Sequence, residues 1–189
     1  MSQQELVKTV IEKLDSLGIP YMLTGSIVSS LQGEPRSTHD IDLIVLLRPS
    51  DIEPLLKAFP PSEFYISKTQ IVQSIEKKDM FNIITLRESQ KIDFWLLTDD
   101  PFDQSRFSRR YAEDFMGIKI FVSSPEDTIL AKLRWAYLAG GSEKQFTDAL
   151  RVFEVQYNNL DLTYLEKWVG TLHLDPLWER LKKEGTIIN

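Results

Sequence analysis

Cysteine is absent from the 189-residue chain, which excludes disulfide bonds, thiolate nucleophiles and cysteine-built zinc sites. Histidine is scarce as well. His39 and His173 stand alone and far apart, which argues against an imidazole zinc site. No uninterrupted apolar run approaches the roughly 20 residues needed to span a bilayer, and the polar start MSQQELVKTV lacks the apolar segment of a signal peptide. A cytoplasmic protein without a membrane partner is therefore expected. Positive charge is also in short supply: a formal net charge of -6 argues against a nucleic-acid footprint over the whole surface, while leaving room for a local basic groove. The dense arginine cluster in SRFSRRYAEDF, with Arg106, Arg109 and Arg110, reads as a solvated face. Low-complexity tracts and internal repeats are missing too.

What is there has the balance of an ordinary globular protein, with 42% apolar and 26% charged residues. Residues 4–17 place Leu6, Val7, Val10, Ile11, Leu14 and Leu17 at helical spacing, stopped by Gly18 and Pro20. YMLT reads as a strand, SIVSSLQG as a short helix capped by Ser26 and closed by Gly33, and DIDLIVLL as a strand. A helix is expected from Asp51 to Phe59. EFYIS, QIVQSIEK, MFNIITL and KIDFWLL follow as short β-like runs that extend the sheet as a meander, and GIKIFVSS adds one more strand. SPEDTILAKLRWAYLAG begins with helix-start signals, and SEKQFTDALRVFEVQY and DLTYLEKWVGTLHLDPLWERLKKEG continue as helices that break near Asp175 and Pro176. The expected architecture is α/β in the α+β sense: a mixed-sheet core over residues 1–124 flanked by helices, with an all-helical C-terminal lobe over residues 125–189, packed as one compact unit.

The chemistry concentrates in DIDLIV. Strand alternation points Asp40 and Asp42 to one face, about 6 to 7 Å apart along the chain, with Ile41, Leu43 and Val45 on the other. Each carboxylate makes the other harder to ionise unless a cation lies between them, and a hard oxygen-seeking cation such as magnesium suits that place. KIDFWLL offers Asp93 as a third carboxylate, since side chains on paired strands approach within roughly 5 Å. Upstream, Gly25-Ser26 sits at a strand-to-helix junction, where glycine admits close backbone approach and the hydroxyl and free N–H groups suit a phosphate. Arg36 either balances the carboxylates or meets a phosphate, Thr38 follows it, and His39 either orients a carboxylate or simply turns the chain. Lys132 lies on an amphipathic helix, where a surface lysine is the ordinary reading, and Trp135, Tyr137, Trp168 and Trp178 read as core aromatics. Ser26 has no recognisable base that would make it a covalent nucleophile.

LTGS, PRSTHDIDLIV and KIDF in that order resemble the nucleotidyltransferase superfamily related to DNA polymerase beta, whose pattern is Gly-Gly or Gly-Ser, a spacer, Asp-hydrophobic-Asp and a later single Asp on another strand. With DDPFD, SPEDTILAKLRW, SEKQFTDALRVFEVQ and LDLTYLEKW, the chain from about Tyr21 to Leu181 is similar to bacterial proteins of the AbiEii toxin type. The resemblance implies a nucleotidyltransferase core and transfer of a nucleoside monophosphate from a nucleoside triphosphate to an acceptor hydroxyl, with release of pyrophosphate. It implies that Asp40, Asp42 and Asp93 bind magnesium in a two-metal site, with Asp93 helping to deprotonate the acceptor. Gly25 and Ser26 would hold phosphates, Lys132 the triphosphate, and Asp148 would match the family's later acid, with Arg36 and Thr38 in nucleotide-binding positions. The implied acceptor is RNA or a small hydroxylated molecule, and an antitoxin-like protein is an implied partner. Toxin-type members often read Lys-Asp where this chain has Lys144-Gln145. A non-catalytic nucleotide- or RNA-binding regulator and a tRNA-modifying toxin are the alternative readings.

Overall fold

The computed structural model describes residues 1–38 and 40–186; His39 lies outside the described residues. The chain divides into two compact units, one formed by Met1–Thr24 with Thr38–Val122 and the other by Gly25–Ser37 with Ser123–Asn189. The helix within Gly25–Ser37 packs with the C-terminal helices.

In the first unit, helix α1 (Gln3–Ser16) starts from a complete capping box, in which Ser2 accepts from the Glu5 backbone and Glu5 accepts from the Ser2 backbone. Its apolar stripe, Leu6, Val7, Val10, Ile11 and Leu14, is fully buried. The strands are β1 (Tyr21–Thr24), β2 (Ile41–Val45), β3 (Phe64–Ile66), β4 (Met80–Thr85), β5 (Lys91–Leu96), β6 (Tyr111–Phe115) and β7 (Ile118–Val122). Among the described residues they form one seven-stranded sheet in the order β3-β4-β5-β2-β1-β7-β6. Strand β2 runs antiparallel to β1 and parallel to β5, and β1 runs parallel to β7. The sheet is therefore mixed, as expected. One face of its centre packs Met22, Ile44, Leu97 and Phe107 with Trp95. An aromatic group surrounds Phe94, which stacks on Phe81 at 5.0 Å and meets Phe59 edge-on at 6.4 Å.

Two local expectations change here. QIVQSIEK forms helix α4 (Lys68–Lys77), after α3 (Ile52–Ala58), and is no strand. Ser67 caps it by accepting from the Gln70 N–H, and Ile71 and Ser74 face inward, so helical spacing prevails over the short-range alternation of apolar and polar residues. SRFSRRYAEDF ends helix α5 (Pro101–Ser108) and supplies β6. Its arginines are tied into local structure: Arg106 pairs with Asp103 at 3.0 Å, and Arg110 lies 4.2 Å over the Phe107 ring.

The second unit holds α2 (Gly25–Gln32), α6 (Pro125–Leu138), α7 (Glu143–Gln156), α8 (Leu162–Leu172) and α9 (Asp175–Glu184). Helix α6 is capped by Ser124, whose hydroxyl accepts from the Asp127 N–H. The α8–α9 break falls at His173, in the left-handed region at φ 56°, while Asp175 and Pro176 open the next helix. Gly33, just past α2, is required by close approach: a Cβ there would lie 2.8 Å from the Val152 backbone N of α7. Gln32 seals the same contact, its side-chain amide donating to the Ser123 carbonyl at 2.6 Å and its backbone carbonyl accepting from the Gln156 amide at 2.8 Å. Trp168 and Trp178 are core residues as expected, whereas Trp135 and Tyr137 are exposed, because they occupy the outer face and last turn of α6. No helix among the described residues is long and apolar enough to cross a membrane.

Candidate functional site

Strand β2 begins at Ile41, so Asp40 stands one residue ahead of the ladder and is exposed, while Asp42 lies within it and is half-buried. The expected strand membership of Asp40 is thereby corrected; the start of the strand pairing at Ile41 sets the boundary. Asp42 shares its strand face with Ile44, which is anchored in the buried cluster around Met22. The parallel register of β2 and β5 sets the Cα of Asp42 opposite that of Asp93, and the pairing of β4 with β5 sets Asn82 opposite Asp93 on the other side.

Asp93 is the most enclosed of the three acids, with a side chain 11% exposed. One of its oxygens accepts a hydrogen bond from the Asn82 amide, and the other lies 2.9 Å from the Lys91 ammonium. Lys91 and Asp40 line an open pocket together with Gln3, Glu88, Ser89 and Gln90. Neither Asn82 nor Lys91 stands out in a search for motifs. The signal that could have found Lys91 is its two-residue spacing from Asp93, which puts both side chains on one face of a strand; for Asn82 it is the single amide within the apolar run MFNIIT.

The second constellation lies wholly in the second unit. Gly25 adopts φ 71°, the left-handed conformation that glycine alone takes without cost, as the chain leaves β1 and enters α2. Ser26 follows inside the first turn instead of serving as the N-cap. Its hydroxyl is buried and accepts from Arg36 Nη2 at 2.8 Å and from Lys132 Nζ at 3.4 Å. Both cations converge on Asp148: Arg36 grips it with Nε and Nη2 at 2.7 and 2.8 Å, and Lys132 Nζ lies 2.8 Å from Oδ2. Lys132 is therefore no surface lysine, being 5% exposed. Burial pushes the Asp148 carboxyl pKa up, but the hydrogen bonds and charges of Arg36 and Lys132 outweigh it and leave the carboxyl below its usual range. Two cations thus share this one carboxylate. Of the remaining expected positions, Thr38 is half-buried in the connection between α2 and β2, and His39 lies outside the described residues.

No family model matches the sequence, and no curated protein matches it. Solved structures do. The structure of ANT(2")-Ia in complex with adenylyl-2"-tobramycin aligns over 97% of this chain and 98% of its own at a TM-score of 0.54 and 11% identity. A crystal structure of an antigenic nucleotidyltransferase-like protein from Paracoccidioides brasiliensis aligns over 97% and 93% at a TM-score of 0.52 and 21% identity. The chain has the nucleotidyltransferase fold. The solution structure of the antibiotic-resistance factor ANT(2'')-Ia agrees, at a TM-score of 0.51 and 12% identity over 96% of this chain and 91% of that one. None of these three is of the AbiEii toxin type, so that narrower resemblance rests on the sequence motifs.

Whether this nucleotidyltransferase-fold chain suits a divalent cation turns on its donors. Carboxylate oxygens are the hard ligands magnesium takes, and Asp42 and Asp93 face each other across one strand pair. The donor chemistry fits. Among the described residues, however, no three acids or histidines are already gathered as a metal cage, and the oxygens of Asp93 are engaged by Asn82 and Lys91.

Proposed function

We propose that the protein is a magnesium-dependent nucleotidyltransferase that moves a nucleoside monophosphate from a nucleoside triphosphate to an acceptor hydroxyl and releases pyrophosphate. The observation that carries the reading is the Asp42–Asp93 register on adjacent parallel strands, with Asp40 two residues ahead of Asp42, in a chain of nucleotidyltransferase fold. Asp40, Asp42 and Asp93 would hold the metal, in a two-metal arrangement. Bound there, magnesium would supply charge stabilisation for the phosphate oxygens and the attacking and leaving groups. Asp93, held by Asn82, is the base for the acceptor hydroxyl, taking its proton as the oxygen attacks the α-phosphorus.

Anion binding is assigned to the residues around Ser26. Ser26 and the backbone N–H groups of the first turn of α2, whose glycine leaves the backbone open, receive phosphate oxygens. The cationic side chains of Arg36 and Lys132 favour the triphosphate, and Asp148 fixes both in place. Thr38 is assigned to the nucleotide-binding set with them.

The acceptor is best matched by a small hydroxylated molecule. A net charge of -6 repels a polyanionic RNA more than a compact substrate, and one structure of the same fold holds an adenylylated small molecule, tobramycin. Incubation of purified protein with magnesium, labelled triphosphates and a panel of aminoglycosides, other hydroxylated compounds, RNAs and proteins tests this. Label transfer that disappears in Asp42→Ala is expected. Nucleotide binding by calorimetry with no transfer to any acceptor would instead indicate a regulator, and growth arrest on expression that depends on Asp42 with label on tRNA would indicate a toxin with an antitoxin partner.

A further inference from the structure

Lys91 opens β5 two residues before Asp93 and shares its face. Its ammonium lies 2.9 Å from Asp93 Oδ2, and its stem lines the open pocket that also exposes Asp40. One side-chain cation thus pairs with Asp93 and lines the pocket that exposes Asp40. That is the electrostatic position a divalent ion would take.

We propose that Lys91 is a built-in counter-cation of the aspartate group, which a divalent metal must displace from Asp93 in order to bind. The inference rests on the metal-binding reading of Asp40, Asp42 and Asp93. An ammonium has three donors and no lone pair, so it satisfies Asp93 yet cannot ligate a metal. A metal on Asp93 Oδ2 would also face a unit positive charge at close range, and at such a separation the repulsion is substantial at any dielectric a protein surface offers. Lys91 reaches the acid from an exposed strand end, with a side chain 45% exposed, so it can swing into solvent when the metal arrives.

Calorimetric titration of free manganese(II) into nucleotide-free protein tests this with wild type, Lys91→Met and Lys91→Arg. Lys91→Met, which keeps the stem and deletes the charge, is expected to bind manganese about tenfold more tightly than wild type. Lys91→Arg is expected to keep wild-type affinity. In EDTA, Lys91→Met should melt about 2 °C lower, since the acids lose their counter-charge; an ordinary surface lysine would move neither readout. Equal or weaker manganese binding by Lys91→Met overturns the inference while leaving the metal site standing, as does an arginine variant that tightens binding as much as methionine. Failure of both wild type and Lys91→Met to bind manganese overturns the metal-binding reading and the inference together.

Discussion

The strand edge of the first unit and the buried helical cluster of the second solve opposite electrostatic problems. At the strand ends the half-exposed Lys91 pairs with Asp93 in a group of three carboxylates. In the helical cluster Arg36 and Lys132 share the single carboxylate of Asp148. The first is open, with Asp40 exposed and Lys91 half-exposed; the second is closed around Ser26, Lys132 and Asp148, all buried. Exposed carboxylates await a cation at little cost to folding, because water screens them. Buried charges have to be held by geometry, and there each missing partner is expensive.

The largest effect that would break this contrast is on catalysis. Asp42→Ala should lower nucleotidyl transfer by about a thousandfold while its urea midpoint stays close to wild type, because the change relieves repulsion with Asp93; initial rates with labelled triphosphate and a denaturation curve check both halves. Asp148→Ala should act through stability, costing about 3–5 kcal/mol in urea unfolding, since the buried Lys132 and the partly buried Arg36 lose their partner. Lys132→Met should cost less, about 1–3 kcal/mol, because Arg36 keeps its two-pronged grip on Asp148; calorimetry should show triphosphate binding weakened about tenfold by the same change.

The smallest effect is a pH dependence confined to the second unit's cluster. The folded-state pKa of Asp148 is lowered, so its contribution to stability is fully present above the unfolded-state value of about 3.9 and is lost as pH falls through the lowered folded value. Urea unfolding between about pH 5 and pH 2 should therefore be steeper in pH for wild type than for Asp148→Asn, which has no proton to take up. Equal slopes would show that the cluster does not hold Asp148 ionised.

Much of the fold was legible because local signals agreed with one another. The capping box and apolar stripe of α1, the β-branched run of β2 and the Ser-Pro-acid start of α6 each carry their own instructions. Reading failed where a short segment satisfied two periods at once, as QIVQSIEK did before Ser67 capped it into a helix. It failed again for α5 and β6, whose charged composition hid a strand on the edge of the sheet. For Lys132 the amphipathic pattern of α6 was misleading, since a lysine can be buried when a carboxylate waits for it.

What the sequence determined by itself is spacing: Asp40 with Asp42, Lys91 with Asp93, and Gly25 with Ser26 follow from backbone periodicity and the stereochemistry of single residues. What only the tertiary structure decided is partnership. That β5 lies beside β2, so that Asp42 faces Asp93, and that Arg36 finds an acid 112 residues away, depend on which strands and helices become neighbours. Such pairings are settled by burial of apolar faces across the whole chain, a non-local balance that no short stretch of residues contains.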